Sequence, residues 1–330
     1  MPARAPFFII GCPRSGTSLL TRILNSHSSM CVPYETHLYR TFWPWRHFYR
    51  DLSSTAAKRA LISDFASTWA AFGQSLDIED AVDRVSGDGF HAVVSGIMSS
   101  LSASERKSRW GEKTPDHIFC FDAIREGFPS ASFIHVIRDG RDCALSWKRA
   151  RFGPKHLYVA GERWRSYISA IAEIEKKLPS DQFLEVRYEA LLREPRTTVQ
   201  QICEFLGEPF EAQMLEYHRN KVEYPTDRSN QRNLNKPLMN DNFNKWKREL
   251  SAREIEDIEA GAAETLTALG YDLYGGGQPI APLRRYFIHH VQHPFLRFSS
   301  MIRNREGHRF AVNKALVYLR LKTRFLLARV

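Results

Sequence analysis

Cysteine is scarce and unpatterned in this 330-residue chain. There are five (Cys12, Cys31, Cys120, Cys143, Cys203), an odd number with no C-x-x-C pair. That argues against a thiolate zinc site or a disulfide framework and for a reducing compartment. The histidines lack H-E-x-x-H spacing, so no metal site is expected. No apolar run approaches the ~18 residues of a membrane span. The first apolar run, Phe7 to Ile10, is too short for a secretory signal core. No internal repeat is visible. Hydrophobic content of 43% and charged content of 25% suit a globular protein with a large core, expected in the cytoplasm.

Acid is almost missing from the C-terminal stretch. Residues 283–330 hold eleven Lys and Arg against Glu306 alone, a surplus equal to the whole formal net charge of +10. The preceding residues therefore balance, and the field of the protein resides in its tail. In 309–330, Val312, Leu316, Leu319 and Leu326 share one helical stripe, among the cations Arg309, Lys314, Arg320, Lys322, Arg324 and Arg329. A basic amphipathic helix of this kind docks on its own domain or on a second subunit, or lies peripherally on an anionic membrane. An acidic acceptor is a further alternative. No nucleic-acid motif accompanies the charge, and no nucleic-acid partner is expected.

The segment FFIIGCPRSGTSLL, residues 7–20, is the most informative part of the chain. Phe7–Ile10 has the continuous apolarity of a buried parallel strand. Gly11 to Ser18 form a loop of glycines, a proline and hydroxyls. Leu19, Leu20, Ile23 and Leu24 then recur at helical spacing. Such a loop presents unpaired N–H groups and the positive end of a helix to an anion. It matches G-x-x-x-x-G-K-[ST] except that Thr17 stands where a nucleotide-triphosphate loop needs lysine. The cation lies inside the loop instead, as Arg14. A phosphate-type anion other than the end of ATP is indicated.

Strands are predicted at 7–10, 133–138 and 182–187. Helices are predicted near 56–72, 89–102, 119–127, 140–152, 157–177, 195–206 and 251–269. RWGEKTPDHI (109–118) reads as a loop. The aromatic stretch 39–49 reads equally as a lid, an acceptor groove or packing beneath a loop. The alternation predicts an α/β, three-layer αβα, P-loop-like fold with a mostly parallel central sheet, helical insertions and a basic helical C-terminal tail. GYDLYGGGQP divides residues 1–278 from an extension at 279–330.

PRSGTSLL and FIHVIRDGRDCALSW (133–147), in this order and separation, resemble the two nucleotide segments of the sulfotransferases that use 3′-phosphoadenosine 5′-phosphosulfate (PAPS). The arginine in PRSGT is similar to the tyrosylprotein and bacterial branches. The resemblance spans about residues 6–272. It implies a PAPS-dependent sulfotransferase that acts without a metal, releases adenosine 3′,5′-bisphosphate (PAP) and sulfates a hydroxyl-bearing acceptor. A tyrosyl or phenolic hydroxyl is favoured, with carbohydrate, lipid and natural-product hydroxyls close behind. Arg14, Ser15, Gly16, Thr17 and Ser18 would cradle the 5′-phosphosulfate. Arg138 and Ser146 would bind the 3′-phosphate, with Arg141 adding charge and Asp139 and Asp142 capping the helix. Tyr188, Lys245 and Trp246 would touch the nucleotide; the closing segment departs from the glycine-rich loop of the cytosolic branch. Glu35 would be the general base, its pKa raised by an aromatic loop. Lys113, with Glu112 orienting it, would stabilise the transferring group; His37 and His117 are weaker base candidates. The alternatives are a P-loop nucleotide kinase, against which the missing lysine counts, and a non-catalytic nucleotide- or membrane-binding adaptor.

Overall fold

Four consecutive buried apolar residues, Phe7–Ile10, require cover on both faces, and the chain supplies it. The computed structural model describes residues 4–150, 152–220 and 232–303, with 315–316, 319–323 and 326 in the tail. Strands β1 (Phe7–Ile10), β2 (Met30–Cys31), β3 (Arg109–Glu112), β4 (Ser132–Ile137) and β5 (Phe183–Arg187) form one parallel sheet of order β2-β3-β1-β4-β5. Among the described residues, helices of nine residues or more are α1 (Thr17–Asn25), α2 (Thr55–Ala70), α3 (Phe90–Ser104), α4 (Gly140–Arg149), α5 (Leu157–Glu175), α6 (Pro195–Leu206), α7 (Ala252–Ala268) and α8 (His293–Arg303).

Alternate residues of each strand enter different cores, as the period of a strand demands. Phe8, Ile10, Phe133 and Ile137 join the larger core under α2, α3, α4, α5 and α7. Phe7, Ile9, Ile134 and Val136 join the smaller one under α1 and α6. The result is the expected three-layer αβα fold. From β1 the chain leaves toward β2; from β4 it leaves toward β5 on the other side. The carboxyl ends of β1 and β4, neighbours in register (Ile10 opposite His135), therefore open a crevice of the kind in which ligands of such sheets bind.

Two readings from sequence are corrected. Arg109–Glu112 is a strand, not a loop. It carries no strand signature because two of its four residues are charged and a third is Gly111, whose missing Cβ makes room for the Phe7 ring. Pairing with β1 and β2 decides its state, not propensity. The aromatic stretch 39–49 is packing: Tyr39, Phe42 and Tyr49 are buried in the larger core, with Trp43, Trp45 and Phe48 against it.

Beyond the glycine stretch the chain turns back onto the domain. Pro282–Phe287 and Ile288–Gln292 dock on α5 and α7 through buried Ile288, two ion pairs, Arg284–Asp257 at 2.7 Å and Arg285–Glu162 at 3.1 Å, and a contact of His289 Nε2 with Glu162 at 2.8 Å. Arg309, Val312, Lys314, Arg324 and Arg329 lie outside the described residues. Among the described residues, no helix is long and apolar enough to cross a membrane.

Helices α5 and α7 meet through glycine. A Cβ on Gly161 would stand 2.3 Å from the Ile258 carbonyl oxygen, and one on Gly261 would stand 2.6 Å from that of Tyr158. Backbone cannot yield as a side chain can. Gly161→Ala is expected to cost about 1–3 kcal/mol or more, read as a lower midpoint in urea unfolding; an unchanged midpoint would contradict this crossing.

Candidate active site

The loop after β1 is held in a shape that few residues other than glycine adopt. Gly16 has φ 105°, and a Cβ there would fall 2.3 Å from the Tyr188 ring. Glycine thus lets Tyr188 close on the loop, and Gly16 becomes the left-handed N-cap of α1. Arg14 has φ 80°, an unfavourable conformation for a residue with a side chain. Its surroundings fix it: Arg14 Nε donates to Ser146 Oγ at 2.8 Å, and its carbonyl accepts from Arg138 Nη1 at 3.3 Å. The exposed Phe152 ring lies 5.7 Å from the Arg14 guanidinium.

Arg138 follows β4 and enters the same crevice. Its Nη2 donates to the Asn242 carbonyl at 2.8 Å and lies 3.6 Å from Asp142 Oδ2, and its guanidinium stacks on Tyr188 at 4.3 Å. Burial pushes the Asp142 carboxyl up, opposed by Arg138. The Tyr188 hydroxyl accepts from Asn242 Nδ2 at 2.7 Å, so Asn242 joins Arg138 to Tyr188. Nothing in the sequence marks Asn242, because its partners are distant in the chain. Two buried donors here, Ser15 Oγ and Arg138 Nε, have no hydrogen-bond partner among the described residues, nor has the acceptor Asp142 Oδ2. With the first N–H groups of α1, the two donors fit a ligand rich in acceptor oxygens.

The structure brings Ser146 to Arg14, not directly to Arg138. Asp139 caps α4 as expected, accepting from Arg141 N at 2.8 Å. Asp142 does not; it accepts from Trp246 N at 3.1 Å and faces Arg138. Arg141 is engaged by Asp139, Glu259 and the Asp272 carbonyl, so its charge is answered by protein. Trp246 is buried with its indole 3.7 Å from the Arg141 guanidinium. Half-buried Lys245 caps the short helix Trp246–Glu249.

Glu35 and Lys113, 78 residues apart, form an ion pair. Lys113 Nζ also donates to Ser18 Oγ at 3.4 Å, which places the pair at the first turn of α1. His37 Nε2 stands 3.7 Å from the other Glu35 oxygen. Burial pushes the Glu35 carboxyl up, but the Lys113 ammonium and the His37 ring together hold it below its ordinary value. The raised pKa expected from an aromatic loop is therefore overturned: a cation, not desolvation, decides the sign.

Glu112 lies beneath this pair. It accepts from Thr36 Oγ1 at 2.9 Å and Thr114 Oγ1 at 2.6 Å, and bonds His117 Nδ1 at 2.8 Å. Thr36 follows Glu35 and Thr114 follows Lys113, so one buried carboxylate ties together the two segments that carry the ion pair. His117 is structural here. Burial would raise the Glu112 carboxyl, but His117 and the two hydroxyls hold it at about 2, against 4.5 ordinarily.

The model of the Sulfotransferase family matches residues 6–212. A protein of Aquifex aeolicus is 26% identical over 75% of this chain, which covers 31% of that protein. The protein-tyrosine sulfotransferase of Drosophila melanogaster is 23% identical over 81% of this chain and 52% of its own length. The sulfotransferase domain of the Synechococcus PCC 7002 olefin synthase shares the fold, with a TM-score of 0.55 at 22% identity, over 83% of this chain and 98% of that one.

A folded pKa below the unfolded one stabilises the protein above the unfolded value and is lost as pH falls through the folded one. Glu112→Gln is expected to lower stability by roughly 3 kcal/mol at pH 7, with the deficit shrinking between pH 4.5 and about 2. Urea melts of both proteins at pH 7 and pH 3.5 check this; a deficit independent of pH would refute it. The matched family model runs through the loop, the Glu35–Lys113 pair and Arg138, and the chain belongs to the sulfotransferase family.

Proposed function

We propose that this protein transfers a sulfuryl group from PAPS to an acceptor hydroxyl, with Glu35 as general base. The observation that carries the reading is the contact chain Glu35–Lys113–Ser18, which sets a carboxylate and an ammonium at the anion-binding end of α1. PAPS supplies the sulfuryl group on a phosphate leaving group, and PAP remains.

Arg14, Ser15, Gly16, Thr17 and Ser18 hold the 5′-phosphosulfate through backbone N–H groups, hydroxyls and one guanidinium. Arg138 and Ser146 hold the 3′-phosphate, and the hydrogen bond from Arg14 to Ser146 links the two anion subsites. Tyr188 and Lys245 border the nucleotide. Trp246 supports it from below, its backbone N–H holding the Asp142 that faces Arg138.

Glu35, ionised at neutral pH, takes the proton of the acceptor hydroxyl. Lys113 is shared between Glu35 and Ser18. As negative charge develops at the end of α1, the ammonium moves toward it and stabilises it. Glu35 then loses its strongest counter-charge and becomes a better base as the proton arrives. A carboxylate held below its ordinary pKa suits a phenol, near pKa 10, better than an aliphatic alcohol. The relatives named as protein-tyrosine sulfotransferases support the same choice. A tyrosyl or other phenolic hydroxyl is therefore the favoured acceptor, ahead of carbohydrate, lipid and natural-product hydroxyls.

Radiolabelled PAPS offered with a tyrosine peptide, a simple phenol and a sugar tests the reading. Labelled phenolic product is expected. Label on the sugar alone would overturn the acceptor, and no labelled product with any acceptor would overturn the transfer. Glu35→Gln is expected to lower kcat by about 10²–10⁴-fold, with PAP affinity changed by less than about threefold.

In wild type the acidic limb of kcat/KM falls below the ordinary carboxylate range. Removing the ammonium leaves burial opposed by the His37 ring alone, so Lys113→Ala shifts that limb upward. A downward or absent shift in the pH profile would show that Glu35 does not carry the proton.

A further inference from the structure

Tyr188 touches both halves of the anion site. Its ring fills the place that a Cβ on Gly16 would need, at 2.3 Å, and the Arg138 guanidinium lies 4.3 Å from the ring centre. The spacing between the loop and Arg138 therefore depends on where this ring stands. The ring is buried in the smaller core, and its hydroxyl accepts from Asn242 Nδ2 at 2.7 Å. Burial pushes the Tyr188 hydroxyl up, opposed by Arg138 and by the Asn242 amide.

Asn242 is itself fixed. Its N–H closes a turn on the Met239 carbonyl at 3.0 Å. The next residue, Phe243, packs against the smaller core with the Arg193 guanidinium 4.6 Å from its ring. Four residues on from Asn242, Trp246 N donates to Asp142 Oδ1 at 3.1 Å. An amide anchored on both sides can hold a tyrosine hydroxyl in one place.

The same residue also governs Arg138 directly. The Asn242 carbonyl accepts from Arg138 Nη2 at 2.8 Å, as the Arg14 carbonyl accepts from Nη1 at 3.3 Å. Neutral carbonyls orient the guanidinium without cancelling its charge. A ligand with one anion can follow a displaced guanidinium. A ligand whose two anions are joined through one ribose cannot, so its affinity depends on both subsites being held at the right separation.

We propose that Asn242 is a positioning residue that makes the site select a nucleotide phosphorylated on both the 3′ and 5′ ribose oxygens, acting through Tyr188. The inference rests on the nucleotide reading above and adds the residue that sets its selectivity.

Calorimetric titration of the full chain with PAP and with 5′-AMP, which lacks the second phosphate, tests it. Wild type should bind PAP at least about tenfold more tightly than 5′-AMP. Asn242→Ala keeps the backbone carbonyl and removes only the amide. It should weaken PAP by about tenfold and change 5′-AMP by less than about twofold. Tyr188→Phe keeps the ring and removes the hydroxyl, so it breaks the same link from the other side and should give the same selective loss. The double variant should bind PAP no more weakly than either single variant, because both changes remove one interaction. Equal losses for the two nucleotides, no loss for PAP, or additive losses in the double variant would overturn the role of Asn242 while a wild-type preference for PAP still upholds the nucleotide reading. Wild type binding PAP and 5′-AMP alike would overturn both.

Discussion

Positive charge gathered at the carboxyl ends of β1, β3 and β4 is the condition on which the rest of the site depends. Arg14, Lys113 and Arg138 follow those three strands, and the sheet order sets β1 between the other two. Taking such groups from water costs several kcal/mol each unless they are paired. The protein supplies partial answers. Arg14 donates to a neutral serine, Arg138 meets carbonyls with Asp142 at 3.6 Å, and Lys113 meets Glu35. A ligand with two separate anionic groups would suit this arrangement, in which the Arg14 carbonyl accepts from Arg138 and so joins the loop to the end of β4.

The acids near these cations differ in their surroundings. Glu112 faces inward, accepts from two threonines and bonds His117, and fixes the segments on either side of the ion pair. Glu35, partly exposed, has the His37 ring on one side and on the other the Lys113 ammonium, which also reaches α1. Two carboxylates on neighbouring segments thus differ in setting: one is enclosed by donors and the other shares its ammonium with Ser18. The same contrast runs through the whole chain: charge is balanced in the body and concentrated in the tail.

Much of this was legible in the sequence. The FFII run, the Gly11–Ser18 loop and the FIHVI strand carry local signals, and the sheet places them as those signals imply. The structure also brings together Lys113 and Glu35, both singled out in the sequence, at the first turn of α1. What escaped depends on contacts across the chain. β3 is a strand by pairing, with Gly111 making way for Phe7. Asn242 joins Arg138 to Tyr188 across 104 and 54 residues. The direction of the Glu35 shift depends on a lysine 78 residues away, so flanking aromatics alone gave the wrong sign. Arg141 has the composition of an anion ligand, yet acids at 139 and 259 enclose it.

Calorimetric titration with PAP, set beside ATP, tests the central claim most directly. A paired anion site built on Arg14 and Arg138 predicts PAP binding at least about 100-fold tighter than ATP. It also predicts that Arg138→Ala weakens PAP by roughly 10–100-fold, the cost of one charged hydrogen-bonding group. ATP binding as tightly as PAP, or an Arg138→Ala protein that binds PAP like wild type, would contradict it.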